Sequence, residues 1–367
     1  FKGVNVIDIG FSNTTTMKRL FIQNRTNVVD AVILTKSFRI NYGDPDQGIR
    51  DLEELNVPVL NGMRLYYQTP EEWIDGTGIS PVEVYMQVAM PEMDGVIEPI
   101  VISGRNDTVY DPIESQVNWL ADRAISWAEL GRVPSSEKKV AIIYYNHGGG
   151  KDNLGACYLN VPRSLQVILD GLNESGYKVE GKVPCGDDLV DLMAHEGTNV
   201  GTWAPGELDA MVKAGNATLI PVEEYSEWFN TIDPEKQNEV IERWGPPPGE
   251  IMVYVNKSGK YFVVPKLTFG NVILCPQPTR GWLQNNTVLY HNKDVPPHHQ
   301  YIAFYFWLKN EFGADFIVHL GKHGTQEWLP GKECGISCDD CWPAVLIQDT
   351  PVIYPYIVDN IAEGSQA

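Results

Sequence analysis

The sequence predicts an α/β fold: Rossmann-like βαβ units with mostly parallel sheets, arranged in more than one domain. Three observations carry this. Short apolar runs rich in β-branched residues, such as Ala31 to Leu34, Val140 to Tyr145 and Asp315 to Leu320, have the length and composition of buried strands. They alternate with segments whose apolar residues recur at three and four positions, the helical period. Finally, 367 residues with 43% hydrophobic content exceed the usual size of one domain and suffice for sizeable cores.

In chain order, Val4 to Ile9 and Ala31 to Leu34 read as strands. Gln47 to Leu55 reads as a helix with Ile49, Leu52 and Leu55 on one face, and Val57-Pro-Val-Leu60 as the return strand. Strand, helix, strand is one βαβ unit. Ser80-Pro81 is a start signal for a helix over Val82 to Ala89, and this region ends near Met93 to Ile102. Ile113, Val117, Leu120, Ala121, Ala124, Ile125 and Ala128 define an amphipathic helix from Ile113 to Leu130. The polar, proline-containing link Gly131 to Lys139 then marks a boundary. One α/β domain is expected over residues 1–131 and a second over 139–367.

The second domain opens with the strand Val140 to Tyr145, the glycine-rich loop Asn146 to Gly155 and a helix from about Pro162 to Leu172. A glycine-rich loop between strand and helix is the layout of an anion cradle. It matches neither the Walker nor the dinucleotide pattern, and a flexible turn explains it equally well. Glu223 to Phe229 reads as a helical turn with Trp228 inward, and Trp244-Gly-Pro-Pro-Pro-Gly249 as a rigid loop. Ile251 to Val264 alternates about the turn Lys257-Ser-Gly-Lys260 as a hairpin does. Asn271 to Cys275 is another strand, and His298 to Leu308 is a helix so apolar that it must be buried. It delivers the chain to the strand Asp315 to Leu320.

A net charge of −20 argues against nucleic acid and anionic membranes as partners. No apolar run approaches the roughly 18 to 20 residues of a membrane span, no signal peptide opens the chain, and a cytoplasmic location is expected. Both ends look cut, as if from a longer chain. Cys334, Cys338 and Cys341 have the Cys-X3-Cys-X2-Cys spacing of a radical-enzyme cluster. Only 26 residues follow, too few for the barrel such a cluster opens, so no iron-sulfur cluster is expected. Free buried thiols are the plainer reading.

The densest chemistry lies in Ala314 to Pro330. His319, His323 and Glu327 stand at i, i+4 and i+8, but Gly321 and Gly324 disfavour a continuous helix. A strand end, a loop and a short turn capped by Thr325 can converge the same three side chains. Two imidazoles and a carboxylate suit a divalent transition metal, and the carboxylate can also serve as a base. The spacing is not that of the zinc proteases, and a lone histidine is usually structural. At the start of its turn Glu327 would be held ionised, whereas burial against Trp328 would raise its pKa. Arg280 and Lys322 are candidate partners for substrate carboxylates. Trp282, Tyr301, Phe304, Tyr305, Trp307 and Trp328 form either a flat apolar wall or plain core.

The run Val318-His-Leu-Gly-Lys-His-Gly-Thr-Gln-Glu-Trp-Leu-Pro-Gly-Lys332 resembles the signature of the large subunit of cobaltochelatase. The porphyrin-binding H subunit of magnesium chelatase shares it in modified form. Pro276-Gln-Pro-Thr-Arg-Gly-Trp282, Pro296-Pro-His-His-Gln-Tyr-Ile-Ala-Phe-Tyr305, Ile353-Tyr-Pro-Tyr-Ile357, Pro91-Glu-Met-Asp-Gly95 and Trp244 to Gly249 extend the similarity over most of the chain. Gln326, His147-Gly-Gly-Gly150, Cys334 and Cys338 depart from the pattern.

The resemblance implies an internal fragment of a much longer chain, with ATP-dependent insertion of a divalent metal into a tetrapyrrole. ATP would be hydrolysed by separate AAA+ partner subunits, in keeping with the missing Walker loop. Lys322 favours Co2+ over Mg2+, and the ring would be a corrin or porphyrin of cobalamin or chlorophyll-type biosynthesis. His319, His323 and Glu327 would hold the metal, with Glu327 and His323 catalytic. Arg280, Lys322, Trp282, Trp328, His298 and His299 would contact the macrocycle. A non-catalytic tetrapyrrole or metal carrier and a metal-dependent hydrolase are the rival readings.

Overall fold

The computed structural model of the chain describes residues 6, 14–145, 154, 156, 159–202, 204–281, 292–321 and 324–355. The strand expected over residues 4–9 and the glycine-rich loop expected over 146–155 fall almost wholly outside them. The fold is α/β, with parallel strands in both main sheets. Two compact units divide it: Phe1–Arg132 with Lys332–Ser337, and Val133–Gly331 with Cys338–Ala367. Among the described residues no helix is long and apolar enough to cross a membrane.

In the first unit the expected βαβ unit is β1 (Val32–Leu34), α1 (Pro45–Leu55) and β2 (Val59–Arg64), the two strands parallel. Asp44 starts α1 by accepting the Gln47 N–H at 3.1 Å, with Pro45 preset for the first turn. Asn56 stops it in the left-handed conformation that such caps use. β3 (Ile97–Asn106) adds in parallel to β2, and β4 (Val109–Pro112) folds back antiparallel, giving the order β1-β2-β3-β4. The long amphipathic helix runs Glu114–Arg132 and packs Leu120 and Ala124 on Leu60 and Ile100.

The helix expected over Val82 to Ala89 is widened. Pro81–Glu83 is α-helical, Val84–Ala89 is π-helical and Met90–Glu92 is α-helical again. Pro91 has no N–H to give the Gln87 carbonyl, which takes the Asn61 side-chain amide instead, while the Met86 carbonyl accepts the Phe38 N–H.

The second unit is built on a five-stranded sheet. β5 (Val140–Tyr144) pairs in parallel with both β10 (Val272–Pro276) and β11 (Phe316–Leu320). β9 (Leu267–Phe269) adds antiparallel to β10, and β12 (Val352–Ile353) adds parallel to β11. The expected hairpin is β7 (Val253–Asn256) and β8 (Gly259–Pro265), and β6 (Ala217–Pro221) pairs with β8 on its other side. The resulting three-stranded sheet is antiparallel throughout. The helix His299–Trp307 is buried along its whole length, as its composition demands. In the helix Val222–Phe229 the buried residues are Tyr225 and Phe229, whereas Trp228 packs only partly buried at the core's margin.

The segment Lys332–Ser337 belongs to the first unit, although it lies within the stretch read as the second domain. Its anchor is Lys332, whose Nζ donates to the carbonyls of Trp73, Ile74 and Gly76, each at 2.8 Å. These close the helix Pro70–Asp75, where a cation meets the negative end of the helix dipole. Glu333 donates its N–H to Thr77, and the Trp73 indole donates to Gly335. Replacing Lys332 with Met keeps the stem and removes three charge-assisted bonds. It should destabilise the first unit by about 2 kcal/mol in urea unfolding followed by Trp fluorescence; an unchanged midpoint would refute this role.

Candidate functional site

β5, β10 and β11 run in the same direction, so Tyr144, Pro276 and Leu320 end side by side. The chain leaves β5 for β10 on one side and then crosses to β11 on the other. That reversal is a topological switch point, the place where open α/β sheets leave a crevice beyond their strand ends. A cavity of about 210 Å3 lies there, lined among others by Tyr145, Gln277, His319, Gly324, Glu327 and Tyr354. Two of the three expected metal donors, His319 and Glu327, therefore share one cavity.

His319 comes into place through strand periodicity. Residues two apart lie on the same face, and the face carrying Ile317 and His319 is covered by the buried helix His299–Trp307. The Tyr305 ring stands 6.0 Å from the imidazole, and its hydroxyl lies 3.4 Å from Nε2. Burial pushes the His319 pKa down to about 4, so at neutral pH it is an uncharged imidazole with a lone pair to give.

The motif's turn is a 3-10 turn, Gln326–Trp328, and Thr325 does not cap it with its side chain. The Thr325 hydroxyl is taken from beneath, by Tyr301 at 2.8 Å and the Pro278 carbonyl at 3.1 Å, while its N–H donates to Gln277 Oε1 at 2.7 Å. Glu327 is exposed towards the cavity and is not buried against Trp328, which is itself half-buried. Gly324 makes a close approach: a Cβ there would stand 2.8 Å from Gln277 Oε1 and would displace that side chain.

Three residues expected to contact substrate have structural positions. Arg280 is 4% exposed and donates to the carbonyls of Asn292, Val295 and Thr325, tying its loop to the motif. A guanidinium spent on backbone carbonyls does not offer its fork to a carboxylate. His298 donates from Nε2 to the Thr279 carbonyl, and its Nδ1 accepts the Tyr301 N–H as a helix cap. His299 donates from Nε2 to Gly245 and accepts the Tyr225 hydroxyl at Nδ1. Both rings line a second cavity of about 310 Å3 beside the Trp244–Gly249 loop, but their nitrogens are committed.

His323, Lys322 and Trp282 lie outside the described residues. Among the described residues no three His, Cys, Asp or Glu side chains gather closely enough to hold a metal. Gln277 and the hydrogen-bonding role of Tyr305 were not foreseen. Two signals were available: Tyr301 and Tyr305 stand at i and i+4, on one helix face, and Gln277 directly follows a strand that ends at the crevice.

Fold and site define an α/β protein with a crevice at a switch point, lined in part by residues of the His319-Leu-Gly-Lys-His-Gly-Thr325 segment and the turn after it. The model of the CobN/Magnesium Chelatase family matches residues 2–367, and the chain belongs to that family. It is 34% identical to the rice chloroplast magnesium-chelatase subunit ChlH, over 100% of this chain and 26% of that protein. It is 33% identical to the aerobic cobaltochelatase subunit CobN of Pseudomonas aeruginosa, over 92% of this chain and 27% of that one. The catalytic subunit of cobaltochelatase from Mycobacterium tuberculosis superposes with a TM-score of 0.70 at 31% identity, over 92% of this chain and 29% of that one. The chain thus spans between a quarter and a third of the length of these relatives.

Two outcomes follow from this geometry. Burial pushes His298 from the ordinary 6.5 down to about 3, against the Thr279 hydrogen bond that favours its protonated form. Between those values the unfolded chain binds a proton that the folded chain refuses, so stability falls as pH drops through this window. In His298→Asn, urea stability should decline less steeply between pH 6.5 and 4; an unaltered slope would exclude His298 as a contributor. Gly324→Ala should push Gln277 away from the Thr325 N–H and cost about 1–3 kcal/mol. Faster hydrogen exchange at that amide would report it, and unchanged exchange would contradict it.

Proposed function

We propose that this chain is the tetrapyrrole-binding catalytic part of an ATP-dependent chelatase that inserts Co2+, in preference to Mg2+, into a corrin or porphyrin. ATP would be hydrolysed by separate AAA+ subunits. The observation that carries the reading is the shared cavity of His319 and Glu327 at the switch point of a chain of this family.

Insertion exchanges the metal's waters for ring nitrogens and releases two protons from the macrocycle, so the site needs a weak metal ligand and a proton acceptor. His319 supplies the ligand: as a neutral imidazole it can take up the metal without first losing a proton, and the ring nitrogens can then displace it unchanged. Imidazole suits Co2+, whereas Mg2+ prefers oxygen donors, which supports the cobalt assignment. Glu327, exposed in the same cavity, accepts the N–H protons directly or through water. At about 210 Å3 the cavity is smaller than those that enclose drug-sized ligands, so the macrocycle would present one edge to it. In sequence, His323 stands between the two as a further donor.

In the complete enzyme with its ATPase subunits, Glu327→Gln should lower insertion by about 100-fold and leave tetrapyrrole affinity nearly unchanged. Insertion at the original rate would make Glu327 a bystander. Loss of macrocycle binding alone would make it a substrate contact.

A further inference from the structure

β10 and β11 are not neighbours: β5 stands between them, so the chain leaves their ends at points roughly 9.5 Å apart, two strand spacings. Gln277, the first residue past β10, crosses that gap. Its backbone stays with β5 through the N–H on the Tyr144 carbonyl, and its own carbonyl accepts the Asn199 side chain at 2.7 Å. Its side chain reaches the loop after β11, where Oε1 accepts the Thr325 N–H at 2.7 Å and Nε2 stands 3.4 Å from the Tyr305 hydroxyl. The residue is 3% exposed and belongs to the wall of the cavity that His319 and Glu327 share.

An amide suits both ends of this bridge. A backbone N–H donates and cannot accept, so the oxygen of Gln277 must face Thr325, which turns the nitrogen towards Tyr305. On one side the amide meets the residue that starts the turn Gln326–Trp328, and on the other a hydroxyl that lies 3.4 Å from His319 Nε2. One side chain thus touches a support of each candidate donor. Thr325 is buried, and its hydroxyl is already held by Tyr301 and the Pro278 carbonyl, so its N–H is the contact through which Gln277 fixes the start of the turn. Gly324, just before it, leaves the amide its room.

We infer that Gln277 is a positioning residue: by strapping the end of β10 to the loop after β11, across the end of β5, it sets where Glu327 stands relative to His319. The strap acts through Thr325, two residues before Glu327, and not on the reacting atoms. Its weight in the reaction follows from how steeply rate depends on placement, since a misplacement of about 1 Å can cost about 100-fold. The inference rests on the function proposed above, because it takes Glu327 as the proton acceptor.

The test uses the complete enzyme with its ATPase subunits and the variant Gln277→Met, which keeps the side chain's length and removes both amide contacts. Insertion should fall about tenfold or more in kcat, while KM for the macrocycle stays within about twofold. Glu327→Gln should cost about tenfold or less beside Gln277→Met, far below its effect alone, because a base already out of place has little left to lose. A merely structural role would leave the two losses to multiply. Gly324→Ala presses on the same amide from the side of the loop and should give both results again, so it decides the matter if Gln277→Met does not fold. An undiminished kcat overturns the inference, and so does a Glu327→Gln effect of full size in both backgrounds. A loss carried by KM makes Gln277 a substrate contact and overturns it too. Glu327→Gln without effect in the otherwise wild-type enzyme is a separate outcome: the function proposed above then fails, and the positioning role falls with it.

Discussion

Tyr144 is paired on both sides, with Pro276 on one and Leu320 on the other, and the candidate site depends on this double parallel register. A slip of one residue in β11 would turn His319 to the opposite face of the sheet and bring a neighbouring apolar side chain under the cavity. The register is secured where strands are most strongly specified, in runs apolar on both faces: every residue of Val140–Tyr144 and of Val272–Pro276 is buried. The ladder even continues past the last strand residue, since the Gln277 N–H donates to the Tyr144 carbonyl at 2.8 Å. That extra bond carries the Gln277 side chain to the point where it meets both Thr325 and Tyr305.

The ground beneath the crevice is more polar than its burial suggests. Gln277, Thr279, Arg280, His298 and Thr325 are each less than a tenth exposed. Burying such groups costs several kcal/mol apiece unless hydrogen bonds replace water. Half of those bonds go to carbonyls of the irregular segments 278–281 and 292–296, which have no ladder of their own. Arg280 alone serves Asn292, Val295 and Thr325. The polar residues thus substitute for secondary structure, holding loops of a switch-point crevice as firmly as strands would. Networks of this kind fix one arrangement to the extent that their members are satisfied.

Much of this was legible in the sequence. The strands announced themselves because a parallel strand buried on both faces must be apolar throughout, as Phe316–Leu320 nearly is. The helix His299–Trp307 could be placed because nine consecutive residues without a charge cannot face water. His319 and Glu327, expected as metal donors from the glycines and histidines at a strand end, do come to line one cavity. What escaped was whatever depends on burial of polar groups. Arg280, His298 and His299 have the chemistry of substrate contacts, and nothing local distinguishes a guanidinium that meets a carboxylate from one that meets three carbonyls. Thr325 likewise has the right residue type for a cap, but its hydroxyl is claimed by Tyr301, 24 residues earlier. The π-helical stretch Val84–Ala89 was hidden for a related reason: the competitor for its carbonyl, Asn61, lies on another element.

The placement of Lys332–Ser337 in the first unit has a consequence for how the protein is made. A ribosome releases the chain from its N-terminus, so the helix Pro70–Asp75 emerges long before the lysine that closes its carbonyl end. At roughly 5–20 residues per second, the 199 residues Val133–Gly331 between Arg132 and Lys332 take about 10–40 s to synthesise. Through that interval the first unit lacks Lys332–Ser337, and the stretch Val133–Gly331 of the second unit is synthesised before that segment emerges. The two units are compact in space, yet they are not successive in birth, and neither can be cut out of the gene as one uninterrupted stretch.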